Sequence, residues 1–253
     1  MTTPTPQLRG DHFSAVSTGY AEFRPRYPQA LFEFIASVAP NHDRAWDCGA
    51  GNGQASLDLA DSFRQVIATD LSAAQIAHAP AHARVSWAVA AAEASPIAKK
   101  SIDVVTVAQA LHWFDHGRFY GEVRRVSVPG GAVVAWTYMS STMEGEAGAI
   151  HDRLMFQTLR GYWPPERWHV DTGYRGVPFP FERIQAPELR LDERWTLAQL
   201  TGYMRTWSAT ARFRKQHGVD PVVDVERELR ASWGDPEERR AITWPLVVLA
   251  GHV

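Results

Sequence analysis

The chain has 253 residues, 45% of them hydrophobic, with 26 basic side chains against 28 acidic and a formal net charge of −2. Such a chain is neither disordered nor fibrous, and it carries no overall basic footprint for nucleic acid. One cysteine, Cys48, excludes a disulfide framework and a multi-cysteine zinc module. No apolar run approaches the roughly 20 residues that span a bilayer, and the opening MTTPTPQLRGDHFS lacks the layout of a secretory signal. The expectation is a globular cytoplasmic protein that meets neither nucleic acid nor membrane, with its oligomeric state left open. The ten tryptophans and the near-exclusive use of arginine (only Lys99, Lys100 and Lys215 are lysines) suit either a pocket for anionic groups or a plain compositional bias.

Residues 1–14 read as a flexible tail, and residues 15–253 as one domain. Pro28 opens a helix in which Leu31, Phe34, Ile35 and Val38 share a face. Short strands and helices then alternate. Strands are predicted over 45–48, 65–69, 85–90, 102–108 and 131–138, and helices over 54–63, 72–79 and 114–126. This rhythm gives a doubly wound α/β fold, a mostly parallel sheet with helices on both faces. It breaks after Met139. A helix over 144–160 leads into a Pro- and aromatic-rich stretch, so about 140–187 reads as a lid-like insertion before the last strands. A strand over 188–195, helices over 197–207 and 222–233, and a strand over 244–250 complete the pattern.

The most informative segment is Asp47-Cys-Gly-Ala-Gly-Asn-Gly53, where the first strand turns into a helix. Glycines allow the tight turn and a close ligand approach, and the helix start offers free N–H groups. Asp70 closes the second strand, where a carboxylate can accept both hydroxyls of an adenosine ribose. The glycine spacing is G-x-G-x-G, with Gln54 next, and not the dinucleotide G-x-G-x-x-G. Asp47 would repel a diphosphate and attract an ammonium. The cofactor expected is therefore S-adenosylmethionine, leaving S-adenosylhomocysteine as product, with Ala50 and Leu71 in the same site.

DCGAGNGQAS, the ATDLS that follows, and the run from Ala90 to Asp115 resemble the motifs of class I S-adenosylmethionine-dependent methyltransferases of the type 11 domain. Tyr20-Ala-Glu-Phe-Arg-Pro-Arg-Tyr-Pro28, Gln109-Ala-Leu-His-Trp-Phe-Asp115 and Thr206-Trp-Ser-Ala209 are similar to the trans-aconitate methyltransferase-like branch. The resemblance implies a seven-stranded Rossmann-like sheet and methyl transfer to a small molecule. It puts Gly49, Gly51 and Gly53 beside the methionine part, Asp70 on the ribose, and the backbone of Ala92 and Glu93 beside the adenine. The acceptor atom would be a carboxylate or hydroxyl oxygen.

Gln109, Ala110 and Trp113 follow the fourth strand at the sheet edge where ligands bind, and are expected to flank the sulfonium and pack along the cofactor. His112 is the candidate general base toward a hydroxyl; for an already ionised carboxylate it would only position. Tyr20, Arg24, Arg26 and Tyr27 form a candidate flap, or simply a helix start. Arg167, Trp163 and Trp207 are candidates for an acceptor lid, against an aromatic mini-core with solvated arginines. No metal is expected, since His78/His82 and His112/His116 lack a metal-site pattern. The rival readings are an NAD-dependent oxidoreductase and a non-catalytic protein that keeps the cofactor pocket.

Overall fold

The computed structural model describes residues 24–253, so the expected tail and Tyr20 lie outside the described residues. The elements in chain order are α1 (Gln29–Val38), β1 (Arg44–Cys48), α2 (Gln54–Ser62), β2 (Gln65–Asp70), α3 (Ala73–Ala77), β3 (Val85–Val89) and β4 (Ile102–Ala108). A 3-10 turn (Leu111–Trp113), α4 (His116–Val126) and β5 (Ser127–Tyr138) follow. Then come α5 (Gly145–Arg153), a π turn (Leu154–Thr158), α6 (Arg167–Asp171), β6 (Glu182–Ile184), β7 (Leu189–Trp195), α7 (Leu197–Arg205), α8 (Ser208–His217), α9 (Val222–Trp233) and β8 (Arg240–His252).

Strands run in the order β3-β2-β1-β4-β5-β8, with β1 to β5 parallel and β8 antiparallel to β5. β6 pairs with residues 250–252 of β8 and β7 with residues 240–246, both antiparallel. They lie end to end along one edge of β8. Eight strands thus fill seven positions, which reconciles the seven-stranded expectation with the extra short strand.

Side-chain alternation along each strand sorts the core onto two faces. Ala45, Val104, Val134 and Trp136 point to the side of α1 and α2. Trp46, Val105, Val107, Val133 and Ala135 point to the side of Phe119 and Val123 on α4. The segment after β5 serves both. Ala147 and Ile150 of α5 pack on the first face, whereas Tyr174, Val177 and Phe181 pack on the second. It therefore passes across the carboxyl-end edge of the sheet, where Arg167 at the start of α6 reaches the Ser140 hydroxyl at 2.9 Å.

Chain direction reverses outward from β1 and β4, which makes their carboxyl ends the switch point where such sheets bind ligands. The sequence places the glycine turn there. α2 is capped by Gly53 at φ +94° and not by a polar side chain, because the chain must bend directly from strand to helix.

Candidate functional site

A cleft of about 310 Å³ opens at these carboxyl ends. One wall is the β1–α2 turn with Gly49, Ala50, Gly51, Asn52 and Gln54; the far end holds Asp70, Leu71 and the Ala90–Glu93 run. Gln109, Ala110, Trp113 and Phe114 form the floor after β4, and Arg24, Tyr27 and Tyr138 close the remaining side.

The glycines do different jobs. Gly51 sits at φ +59°, and a Cβ built there would meet nothing within 4 Å, so its bare face is the cradle. A Cβ on Gly49 would lie 2.7 Å from the Ala110 Cβ, so that glycine lets the β1 and β4 loops touch. Gly53 does not line the cleft: a Cβ there would lie 2.1 Å from the Trp87 ring. It is a packing residue on β3's side, which corrects its expected place beside the methionine part. Asp70 accepts Gly51 N–H on Oδ2 and Ser72 N–H on Oδ1, each at 2.8 Å. It thus locks the turn while its remaining lone pairs stay available for ribose hydroxyls.

Asp47 is also corrected. Its carboxylate is fully buried beneath the turn, on the face of α2, where it accepts the Ser56 hydroxyl at 2.6 Å and the Thr106 hydroxyl at 3.2 Å. Burial pushes its pKa up to about 6, against the lowering effect of those two hydroxyls. It ties β1, α2 and β4 together and makes no wall of the cleft, so a direct contact with an ammonium is not its role. The contrast with a diphosphate survives on other residues: among the described residues the cleft's charged lining is Asp70 and Glu93 against Arg24.

Gln54 lines the cleft and donates from Nε2 to the Pro25 carbonyl at 2.7 Å, which brings Arg24 and Tyr27 over the turn. Arg24 donates to the Tyr138 hydroxyl. Tyr138 was not foreseen in the site; its only signal was its place at the end of β5, beside β4. Arg26 points elsewhere: its backbone N–H donates to Glu193 Oε1 at 3.1 Å and its side chain is exposed.

Gln109 adopts φ +56°, a left-handed conformation costly for a residue with a Cβ, worth about 1–3 kcal/mol. Its Oε1 accepts the Thr137 hydroxyl at 2.6 Å, whereas its buried Nε2 has no hydrogen-bond partner among the described residues. A buried orphan donor in a cleft wall is a group that a ligand can satisfy.

His112 is not in the cleft lining. The 3-10 turn directs its ring behind the wall, where Nδ1 lies 3.2 Å from the Tyr174 hydroxyl. Burial, aided by the His169, Arg167 and His116 charges, lowers its pKa to about 3. A histidine so placed and so depressed is a poor proton acceptor at neutral pH, which corrects the general-base expectation.

The lid candidates fare similarly. The Arg167 guanidinium lies 3.8 Å over the Trp163 ring and pairs with Asp171 at 3.1 Å. Trp163 donates its ring N–H to the Met155 carbonyl, and the buried Trp207 packs 5.7 Å from it. None of the three lines the cleft. They form the aromatic mini-core, because stacking and pairing within the segment already use Arg167.

The arrangement fits S-adenosylmethionine. The open Gly51 face leaves room that an amino-acid tail would need, Asp70 has acceptors that ribose hydroxyls would need, and the small alanines with half-exposed Leu71 leave a slot that a flat base would fit. Among the described residues, no group of three or more His, Cys, Asp or Glu could hold a metal ion, and no helix is long and apolar enough to cross a membrane.

Comparison with known proteins agrees. Residues 46–135 match the family described as "Methyltransferase domain". A Dictyostelium discoideum protein named as a candidate methyltransferase is 34% identical over 230 residues, which is 89% of this chain and 88% of that protein. A solved structure titled as a candidate type II methyltransferase of Anaeromyxobacter dehalogenans is 47% identical, with a TM-score of 0.86 over 91% of this chain and 98% of the other. A malonyl-[acyl-carrier protein] O-methyltransferase of Methylococcus capsulatus is 28% identical over 202 residues, 74% of this chain and 71% of its own length.

Proposed function

The chain belongs to the S-adenosylmethionine-dependent methyltransferases, and from that premise we propose that its acceptor is a carboxylate oxygen of a small molecule. When bound, the cofactor supplies a methyl group on a sulfonium, and such a displacement asks the protein mainly for alignment. The residues around the cleft are suited to that task.

The observation that carries the reading is the Arg24 guanidinium, hydrogen-bonded to the Tyr138 hydroxyl, in the same cleft lining as the buried Gln109 Nε2, which has no hydrogen-bond partner among the described residues. A guanidinium and an amide NH2 are donors only, and together they fit an oxyanion. A carboxylate is ionised at neutral pH, so no base has to remove a proton. Among the described lining residues there is no histidine or lysine to deprotonate a hydroxyl, and the tyrosine hydroxyls of Tyr27 and Tyr138 are weak bases. The similarity to a malonyl-[acyl-carrier protein] O-methyltransferase points the same way. No residue of the 140–187 segment, expected to act as a lid, is among the lining residues, and anion recognition is left to Arg24.

The test is transfer of a radiolabelled methyl group to a panel of small mono- and dicarboxylic acids. The label should enter as base-labile methyl ester, and Arg24→Met should raise the acceptor KM by about tenfold or more, the worth of a charged hydrogen bond. Label found only on hydroxyl or amine acceptors, with Arg24→Met indifferent, defeats the carboxylate reading.

A further inference from the structure

α3 (Ala73–Ala77) reads AAQIA, and the residue it buries is its glutamine: Gln75 is 7% exposed, while Ile76 is only partly covered. Gln75 also lines the cleft, together with Asp70, Leu71 and Ser72. Burying a carboxamide costs free energy unless its hydrogen bonds are remade. Among the described residues the Gln75 side chain makes no hydrogen bond. Its backbone N–H goes to Ser72 Oγ at 3.3 Å, and its backbone carbonyl accepts the His78 N–H at 3.1 Å. The other two glutamines of the described lining are each held, Gln54 by the Pro25 carbonyl and Gln109 by the Thr137 hydroxyl.

A second helix start in the same chain shows what a glutamine at this position ordinarily does. Thr196-x-x-Gln199 opens α7 with a capping box: Gln199 Oε1 accepts the Thr196 N–H at 3.0 Å, and Thr196 Oγ1 accepts the Gln199 N–H at 3.4 Å. Ser72-x-x-Gln75 has the same spacing, yet only its serine half is formed. The Ser72 N–H goes instead to Asp70 Oδ1 at 2.8 Å. Asp70 thus takes the capping partner of Gln75, and the carboxamide is left in the wall of the cleft that Asp70 also lines.

A ribose matches this pair. The Asp70 carboxylate only accepts, so it takes protons from the ribose hydroxyls. A hydroxyl that has committed its single proton keeps its lone pairs and can then only accept. A carboxamide NH2 is the donor it lacks, and a neutral one adds no repulsion to Asp70. We propose that Gln75 is a second binding residue for the cofactor's ribose, its NH2 donating to a hydroxyl oxygen whose proton Asp70 accepts. The proposal rests on the ribose lying at Asp70; the release of Gln75 from its cap does not.

The experiment titrates the full chain with S-adenosylhomocysteine and with its 2′-deoxy and 3′-deoxy analogues by calorimetry, beside thermal melts without ligand. Gln75→Met keeps the side-chain length and removes the amide. Its dissociation constant for S-adenosylhomocysteine should rise roughly fivefold, the worth of one neutral hydrogen bond. Its ligand-free Tm should be no lower than wild type, because an unpaired buried amide has gone. The wild-type penalty for at least one deoxy analogue should shrink by a similar factor in the variant, as happens for groups in contact. Gln75→Glu, which keeps an oxygen and loses the donor, should not recover the affinity, and Gln75→Leu replaces the methionine variant if that one does not fold. Unchanged affinity in Gln75→Met with a lowered ligand-free Tm makes the glutamine a packing residue and overturns the proposal, as do deoxy penalties identical in both proteins. A loss in Asp70→Ala with none in Gln75→Met also overturns it, and leaves the ribose assignment of Asp70 standing.

Discussion

Replacing Asp47 with asparagine is predicted to stabilise the fold at neutral pH. The wild-type carboxyl is fully buried, and desolvation raises its pKa from 3.8 to about 6, with the Ser56 and Thr106 hydroxyls pulling down and Asp70 pushing up. The folded state therefore holds this proton to higher pH than the unfolded chain does. Stability falls as pH rises from 3.8 to about 6 and is level above that window. At about 1.4 kcal/mol per unit the difference approaches 3 kcal/mol, as an order of magnitude. An asparagine of the same shape keeps an oxygen for Ser56 and gives an N–H to Thr106, whose own proton can turn to the Trp46 carbonyl it already approaches at 3.3 Å. Hydrogen bonds to a neutral amide are weaker than those to a carboxylate by ~1 kcal/mol, which trims the gain to about 1–3 kcal/mol. At roughly 2–4 °C per kcal/mol for a chain of this size, Tm at pH 7 should rise by several degrees. Paired thermal unfolding of both proteins from pH 4 to pH 8 reads the effect. The two curves should converge at the acid end and separate above it with the variant higher. A variant less stable at pH 7, by an amount that does not change with pH, refutes the reasoning.

The paired glycines give a second prediction. Gly51→Ala should cost only the left-handed strain, about 1–2 kcal/mol, yet abolish cofactor-product binding in calorimetry; full binding by that variant contradicts the cradle. Gly53→Ala should act in the opposite sense, destabilising the fold by more than Gly51→Ala in urea melts because its Cβ meets Trp87 at 2.1 Å. His112 gives a pH prediction. Its folded pKa, near 3, lies below the ordinary 6.5, so the stability tied to its neutral form is present above pH 6.5 and is lost as pH falls below it. His112→Asn should lose less stability than wild type between pH 6.5 and 5, by up to about 1.4 kcal/mol per unit; identical acid profiles would show that the ring is not held neutral.

Much of the fold was legible because buried parallel strands read as apolar runs between turn residues. β4 (Ile102–Ala108) fell on its expected bounds. Other elements hid for physical reasons. α8 (Ser208–His217) is SATARFRKQH, whose one large apolar residue, Phe213, makes no periodic stripe with two alanines, and its stability comes from packing of Ala209 and Phe213 onto the core. β6 is three residues, mostly exposed, and exists through pairing with the end of β8. β8 begins at Arg240, before the apolar run that marked it, because β7 pairs along Arg240–Leu246. The expected helix over 144–160 keeps α-helical bonding only to Arg153 and then widens into a π turn.

In the site, residues fixed by backbone topology were legible: Ala50, Gly51, Asp70, Gln109 and Ala110 all line the cleft. Residues whose role depends on where a side chain points were not. Gly53 faces Trp87 and His112 faces Tyr174, each partner arriving from a distant stretch of chain, while Asp47 faces Ser56 on the next helix, a contact set by how that helix turns. A strand-to-helix turn announces that backbone will meet ligand, but it does not say which neighbouring side chains turn inward to hold it.

The central claim is that the cleft above β1, β2 and β4 takes the adenosine cofactor with Asp70 on its ribose. Its most direct measurement is a calorimetric titration of wild type and Asp70→Ala with S-adenosylhomocysteine and, separately, with NAD⁺. Wild type should bind the first and not the second. Asp70→Ala, losing a charged hydrogen-bond acceptor, should bind it at least about tenfold more weakly. An unchanged dissociation constant in the variant, or NAD⁺ taken up in place of the homocysteine nucleoside, contradicts the assignment.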